Sequence, residues 1–558
     1  MTSSHAAALS PSSHVDGFAR DHLPPPDEWP EFLFELPSLH YPRRINCAAE
    51  LVDAALARGW GERTALVGAR ERLSYAALAA RVDRIAHVLR RDLQLVPGNR
   101  VLLRGANCPT MAAAILAVFK AGCIALPTMP LLRARELGAI VDKARVDAVL
   151  CAASLRTEID ALRETPGAAC PPVTLFDLPD HAHGDPAGPA DPASLEALMA
   201  RHDQPFEAVD TAADDVCLIS FTSGTTGIPK GTMHFHRDVL AICDCFPVHT
   251  LRSTSDDVFI GTPPLAFTFG LGGLLLFPLR VGAAGVVIEK LTPETLLDAI
   301  ARHRATVCFT APTFYRQMAQ LASRFDLSSL SRSVSAGEAL PLATRDAWQE
   351  ATGLAMIDGI GATEMLHIFI SAAGDAIRPG ATGKPVPGYR ACILGEDGEP
   401  LGPGVIGRLA VKGPTGCRYL ADPRQRDYVQ DGWNLTGDAY EMDGDGYFYY
   451  RSRLDDMIIS AGYNIAGVEV EEALLRHPAV AECAVIGRPD EERGQVVEAH
   501  VVVRGGHAPG DALAAELQAF AKTQIAPYKY PRRIVFRASL PRTETGKLQR
   551  FKLRAEAL

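Results

Sequence analysis

The sequence predicts an α/β protein: a large amino-terminal domain of helix-covered β-sheets, followed by a small α+β carboxy-terminal domain. Three observations predict it. The chain has 558 residues, beyond the roughly 250–300 at which one core stops growing, so at least two domains are expected. From the mid-forties to about residue 440, apolar β-branched runs alternate with helix-like segments, the signature of parallel strands with helical crossovers. Near residue 450 that texture changes to a turn-rich hairpin followed by a new mixture of helix and strand.

Residues 1–45, with PPPDEWP at Pro24 to Pro30, read as an arm laid over the surface. Within the large domain, residues 46–453, RVLLRGAN followed by TMAAAILAVFKAG is one strand–helix unit, and ATVCFTAP followed by TFYRQMAQLASRF is another. The stretch DLPDHAHGDPAGPADPAS from Asp177 is rich in Pro, Asp, Ala and Gly and reads as a surface loop. EMDGDGYFYYRSRLDD is a hairpin, and the boundary falls at Arg453–Asp455. In residues 454–558, VEVEEALLRHPAVAECAVIG reads as helix then strand. QVVEAHVVVRGG, DALAAELQAFAKTQ and RRIVFRASLPRTETGKLQR complete an independent α+β unit of about 100 residues.

Composition narrows the functions available. Hydrophobic residues make up 47% and charged residues 22%, an ordinary soluble balance. A net charge of −10 argues against nucleic acid as a partner, so an anionic substrate must be met by local positive charge. The twelve cysteines are scattered, with one close pair, Cys243 and Cys245, and no second pair to complete a zinc site. They read as small apolar side chains in a reduced cytosol. The amino terminus carries no secretory pattern. LAFTFGLGGLLLFPL from Leu265 is broken by glycines and stopped by Arg280, short of the ~20 apolar residues of a membrane span. The expectation is a cytoplasmic protein with no membrane partner, whether monomer or homodimer.

TSGTTGIPKGT, Thr222 to Thr232, follows the strand-like run VCLISF. Glycines allow close approach of backbone to ligand, consecutive N–H groups form an anion-binding concavity, and Lys230 adds a mobile charge. It is neither a Walker A loop nor a dinucleotide turn. On composition alone, a polyphosphate cradle and a flexible polar loop are about equally supported.

The order of residues separates them. TSGTTGIPKG resembles the signature loop of the adenylate-forming superfamily, which includes acyl- and aryl-CoA synthetases, aryl-acid adenylating enzymes, peptide-synthetase adenylation domains and luciferases. SAGEALP from Ser335, DGIGATE from Asp358, GWNLTGD ending at Asp438, SRLDDMIISAGYNI from Ser452 and PRTETGKLQR from Pro541 resemble five further family segments, in the family's order. Together they cover the chain from about residue 45 to its end.

The resemblance implies ATP, Mg²⁺ and coenzyme A. Thr222, Ser223, Gly224, Thr225, Thr226, Gly227 and Lys230 would hold the β- and γ-phosphates. Gly337, Glu338 and Ala339, with Asp358, Gly359 and Ile360, would face the adenine, Ile360 standing where the family usually has an aromatic. Thr363 would meet the α-phosphate, and Glu364 the metal, a hard cation suited to carboxylate oxygen. Asp438 would accept the ribose hydroxyls, with Arg453 facing the nucleotide. Lys547 would bridge the acyl carboxylate and the α-phosphate. Catalysis of this kind gathers anions and stabilises charge in flight, so Lys547, Thr363, Glu364 and Lys230 are the catalytic candidates. Asp455 would be the hinge, and Ala461, Gly462 and Tyr463 would line a tunnel for the pantetheine arm.

For the acyl group, PPLAFTFGLGG from Pro263 lies where the family has an aromatic gate, Phe267, and a pocket wall. With Phe269, Gly270, Ala336, Gly337, Gly361 and two polar candidates, His236 and His367, this suggests a flat, largely apolar slot. The ensemble looks closest to benzoate-type CoA ligases and, within them, to 2-aminobenzoate CoA ligases. The small-molecule partners are then an aromatic acid, ATP and coenzyme A. The alternatives are an aliphatic acyl-CoA ligase, an aryl-acid enzyme loading a carrier protein, and a nucleotide-binding module without catalysis.

Overall fold

The computed structural model describes residues 9–165, 167, 169–177, 191–222, 229–460, 463–490, 493–542 and 548–557. These residues build four sheets. The first runs Val173–Phe176, Ala148–Ala152, Arg100–Arg104, Ile124–Thr128, Val216–Thr222, Lys230–Phe235 from edge to edge. All its neighbours are parallel except the last pair, a hairpin. Arg100–Arg104 is buried along its whole length because helices cover both faces, which is why RVLLR reads as an unbroken apolar run with charges only at its ends. The helix that follows, Pro109–Lys120, is equally buried; Pro109 fits its first turn, and Lys120 at its end is neutralised by Asp83 and Asp53 at 2.5 and 2.7 Å.

The second sheet has nine strands among the described residues. Its parallel core is Thr64–Val67, Ala284–Val286, Val258–Gly261, Val307–Thr310, Arg332–Ala336 and Met356–Gly361. Antiparallel strands close both edges. Trp348 anchors the helix Leu342–Thr352 to this sheet: fully buried, it donates from Nε1 to Ser333 Oγ at 3.0 Å and meets the Tyr315 ring edge-on. A third sheet, antiparallel throughout, contains Gly407–Lys412, Trp433–Met442 and Phe448–Arg453.

Phe448–Arg453 ends the third sheet, and Leu454–Asp456 is a single 3₁₀ turn. The next strand, Ile458–Ser460, joins a separate sheet with Gly494–Val503, Val480–Asp490 and Arg533–Arg537, which has its own core of Ile458, Val470, Leu474, Val485, Val501 and Leu517. The amino-terminal arm is tied down over its described residues. Ser12 and Ser13 bond Asp215, Arg20 pairs with the same carboxylate at 3.0 Å, and Phe32 bridges Gly413.

Three parallel strands, Val216–Thr222, Arg332–Ala336 and Met356–Gly361, end in segments singled out above: Thr222, Ala336 and Gly361. In open α/β sheets the crevice beyond the carboxyl ends of the strands is where ligands bind.

Candidate active site

In the hairpin of Val216–Thr222 and Lys230–Phe235, Thr222 stands directly opposite Lys230. The pairing pins both ends of the glycine–threonine loop; Ser223, Gly224, Thr225, Thr226 and Gly227 lie outside the described residues. Lys230 Nζ donates to Tyr419 Oη at 3.0 Å and sits 4.9 Å from the centroid of its ring. Tyr419 in turn donates to Glu364 Oε1 at 2.6 Å. Burial, reinforced by the Glu364 carboxylate, pushes the Tyr419 phenol far above its ordinary range, so it stays a proton donor.

Glu364 is placed by a clamped turn. Thr363–Met365 is a 3₁₀ turn, and Leu366 after it takes φ +67°, a left-handed conformation rare for leucine. His234 Nε2 donates to Thr363 O at 2.9 Å, and Thr415 Oγ1 donates to Met365 O at 2.7 Å. Burial holds the His234 imidazole down to about 3, so it stays neutral and keeps the proton that makes this bond. Over-determination of this kind holds a strained backbone in place.

On the far side of the crevice, Gly337 turns the chain at φ +88°, and Glu338 Oε2 accepts from Thr313 Oγ1 at 2.8 Å. Asp358, near the end of its strand, has its carboxyl pushed up to about 7 by desolvation against the opposing pull of Arg345. Gly359 has no room for a side chain: a Cβ there would lie 2.7 Å from Ile368. Ile360 is half-buried against the main core. Asp438 and Arg453 face each other across the hairpin of the third sheet, Nη1 to Oδ1 at 3.0 Å, and Arg453 also donates to Thr436 O. The two residues assigned to the ribose side are thus paired to each other.

The aromatic slot is built around His367. Its imidazole is buried and in ring contact with Phe246, Phe269, Phe277 and Phe309, the tightest being Phe277 at 4.5 Å. Nε2 reaches Phe269 O at 3.4 Å, while Nδ1 has no partner among the described residues. Burial holds this histidine, too, down to about 3. Glycines let these rings pack closely: a Cβ on Gly272 would come within 2.4 Å of the His367 ring, one on Gly273 within 2.6 Å of Phe309, and one on Gly361 within 2.7 Å of His367 O. Phe267 and Phe269 are half-buried, and Gly270 lies so close to Pro264 O that it admits no side chain. Ala336 is buried where its strand ends.

His236 does not belong to this slot. Fully buried, it starts the helix His236–Cys245, where Nδ1 accepts from Cys47 N–H at 3.2 Å and lies 3.1 Å from Cys47 Sγ. Alternation along Lys230–Phe235 explains the error. Lys230, Thr232 and His234 share one face, so His234 reaches the Thr363 turn, while the chain turns into a helix before His236. The fold also gathers Cys47, Cys217 and His236 within 4.8 Å of one another, although they are far apart in sequence. Because the Cys47 backbone already uses the His236 Nδ1 lone pair, the trio is a core contact.

Tyr419 and His234 are the site residues that reading the sequence missed. His234 carried a signal, the two-residue period from Lys230; Tyr419, in GCRYLADP, carried none. Lys547, Ala461 and Gly462 lie outside the described residues. Asp455 is the central residue of the 3₁₀ turn between the third and fourth sheets, and Tyr463 begins the short strand Tyr463–Ile465.

The sequence matches the AMP-binding enzyme family over residues 54–419 and the AMP-binding enzyme C-terminal domain over residues 469–547. A benzoate–CoA ligase of Thauera aromatica is 36% identical over 530 residues, covering 93% of this chain and 97% of the relative. A crystal structure of an anthranilate CoA ligase in complex with anthranoyl-AMP superposes with a TM-score of 0.86 at 32% identity, covering 94% of this chain and 99% of that one. A benzoate CoA ligase from Burkholderia xenovorans superposes with a TM-score of 0.81, also at 32% identity, over 91% and 100%. Among the described residues no helix is long and apolar enough to cross a membrane. With the family matched over both its domains and the whole fold shared with its solved members, this chain belongs to the AMP-binding family of adenylate-forming acid–CoA ligases.

Proposed function

We propose that this enzyme activates an aromatic carboxylic acid of the benzoate or 2-aminobenzoate type. In the first step a carboxylate oxygen attacks the α-phosphorus of ATP, and the bond to pyrophosphate breaks, giving the aryl-adenylate. In the second, the thiol of coenzyme A attacks the acyl carbon, loses its proton, and AMP departs with the electron pair. The observation that supports the aromatic reading is the cluster around His367: phenylalanine rings gathered on one neutral imidazole, with glycines where any side chain would collide with them.

The ortho-amino reading rests on the same imidazole. With Nε2–H directed at Phe269 O, Nδ1 is left as a lone-pair acceptor that finds no partner among the described residues. A ring amino group supplies the missing donor, and a buried acceptor left unmade costs about 1–3 kcal/mol. The similarity to a ligase crystallised with anthranoyl-AMP supports the same reading.

In this scheme Lys230 and the loop that it closes hold the terminal phosphates, and Thr363 meets the α-phosphate. Glu364 offers the hard oxygen that Mg²⁺ prefers, and the ion would neutralise phosphate charge. Asp438, held by Arg453, presents its carboxylate to the ribose. Lys547 bridges the two reacting groups in the first step. Rotation about Asp455 then brings Ala461, Gly462 and Tyr463 to the site for the second.

Acid-dependent exchange of pyrophosphate into ATP, followed by AMP release with coenzyme A, tests the proposal. Benzoate and 2-aminobenzoate should support both, and acetate and octanoate neither. Preference for an aliphatic acid would overturn the aromatic assignment, and AMP release with a carrier protein but not with coenzyme A would overturn the acceptor. Equal kcat/KM for 2-aminobenzoate in wild type and His367→Phe would overturn the role given to Nδ1.

A further inference from the structure

Four charges alternate across the junction of the large and small domains. Glu338 follows the strand Arg332–Ala336, and Arg316 lies on the helix Pro312–Ala319, both in the large domain. Between them stand two residues of the small domain, Arg542 and Glu482. Arg542 Nη1 lies 3.8 Å from Glu338 Oε1, and its Nη2 donates to Glu482 Oε2 at 2.8 Å. Glu482 Oε1 lies 3.8 Å from Arg316 Nη2, and Arg316 Nη1 donates to Ala481 O at 3.0 Å. All four side chains are between 17% and 31% exposed, so they are shielded from solvent without being stranded in a core.

What surrounds the charges is open. A cleft of about 490 Å³, lined by Arg316, Ala347, Leu475, Ala481 and Arg504, separates the same two domains. Beside that cleft, the polar contacts of Arg316, Glu338, Glu482 and Arg542 tie the small domain to the large one. Arg542 is also the base of a loop: it forms a β-bridge with Leu548, and Gln549 N donates to Pro541 O at 2.9 Å. Seating Arg542 therefore seats the chain on both sides of residues 543–547.

We propose that Arg542 is a positioning residue for adenylate formation, acting with Arg316 as an electrostatic latch that holds the small domain against Glu338 during the first half-reaction only. The complementary order, minus–plus on the large domain's partners and plus–minus in return, fixes one seating and disfavours slippage by a single contact, which would bring like charges together. The latch is partly exposed and lies well within reach of screening, so salt weakens it. Release costs little, as a domain that must leave between two steps requires.

The proposal rests on the two-step reading above, and measuring the two half-reactions separately keeps the two ideas distinguishable. Full-length Arg542→Gln and Arg316→Gln are compared with wild type in acid-dependent pyrophosphate exchange, and in coenzyme A-dependent consumption of a synthetic aryl-adenylate. Each variant should lose about tenfold in exchange, with the thioester step unchanged or faster. Wild-type exchange should fall as salt rises from 0.05 to 0.5 M, by about the same factor, while the double variant stays flat. Arg542→Lys, which keeps the charge, should retain most of the exchange rate. A parallel loss in both half-reactions would mark the residue as merely structural and overturn the latch. So would undiminished exchange, or a lysine variant no better than glutamine. Wild-type exchange that ignores the acid altogether would instead strike the two-step reading itself.

Discussion

Tyr419→Phe removes a single oxygen from the centre of the site and leaves the ring. That oxygen stands between Lys230, 3.0 Å away, and Glu364, 2.6 Å away, receiving a hydrogen bond from one and giving one to the other. A hydrogen bond to a charged group contributes about 1.5–3 kcal/mol, which at about 1.4 kcal/mol per decade is roughly 10–150-fold in rate if it is needed in the transition state. A second effect has the same sign. Without the hydroxyl as a spacer, the lysine ammonium and the carboxylate are free to close on each other, and in the proposed scheme an ion pair between them would withdraw one charge from the phosphates and the other from the metal. The variant should therefore lose about 10–100-fold in pyrophosphate exchange and need more Mg²⁺ for half its maximal rate. Its thermal midpoint should hardly change, because the ring keeps its edge-on contact with Tyr428 at 5.9 Å. Exchange measured over a Mg²⁺ series at saturating acid decides the matter. A variant with wild-type rate and unaltered Mg²⁺ requirement would show that the Lys230–Tyr419–Glu364 chain is only packing.

Gly272→Ala should lower kcat/KM for the aromatic acid by at least tenfold and leave the KM for ATP unchanged, since its Cβ would lie 2.4 Å from the His367 ring; an unchanged acid KM and kcat would refute the slot. Asp358 gives a pH prediction. Its carboxyl is raised to about 7 in the folded chain against about 4 when unfolded, so the folded state holds the proton more tightly. Its contribution is favourable below pH 4 and is lost as pH climbs from about 4 through about 7. Asp358→Asn should flatten the fall in thermal midpoint over that window, and an unchanged slope would refute the assignment. Arg418→Ala strands Asp238, its fully buried ion-pair partner, and removes a guanidinium stacked 3.9 Å from the Phe235 ring centroid. It should cost about 3–5 kcal/mol, read as a lowered urea midpoint. Arg418→Met with Asp238→Asn should recover much of the loss.

The sheets and helices of the large domain were legible because two faces of a parallel sheet are buried, so their strands are unbroken apolar runs such as RVLLR and VCLISF. The loop expected to carry chemistry stood out for the opposite reason: glycine, threonine and lysine in TSGTTGIPKG have no use in a core. What escaped were side chains whose role depends on a contact between distant segments. Nothing in GCRYLADP says that Tyr419 will stand between Lys230 and Glu364, because no periodicity links residues 189 positions apart.

His236 and His234 show the same limit at closer range. They are two residues apart in TMHFHRD, and composition treats them alike. Their fates diverge because the strand ends at Phe235. One imidazole stays on the face that carries Lys230 and fixes the turn of Glu364, while the other caps the core against Cys47. Motif matching located the strand and the loop but could not say where the strand stopped, and one residue of register decided which histidine serves the site. The physical signal was there: counted in steps of two from the lysine, the first histidine shares its face. Position within an element therefore outranks residue type in choosing among candidates. A His234→Ala exchange assay beside His236→Ala would show this directly, with adenylation sensitive to the first through Thr363 and to the second only through stability.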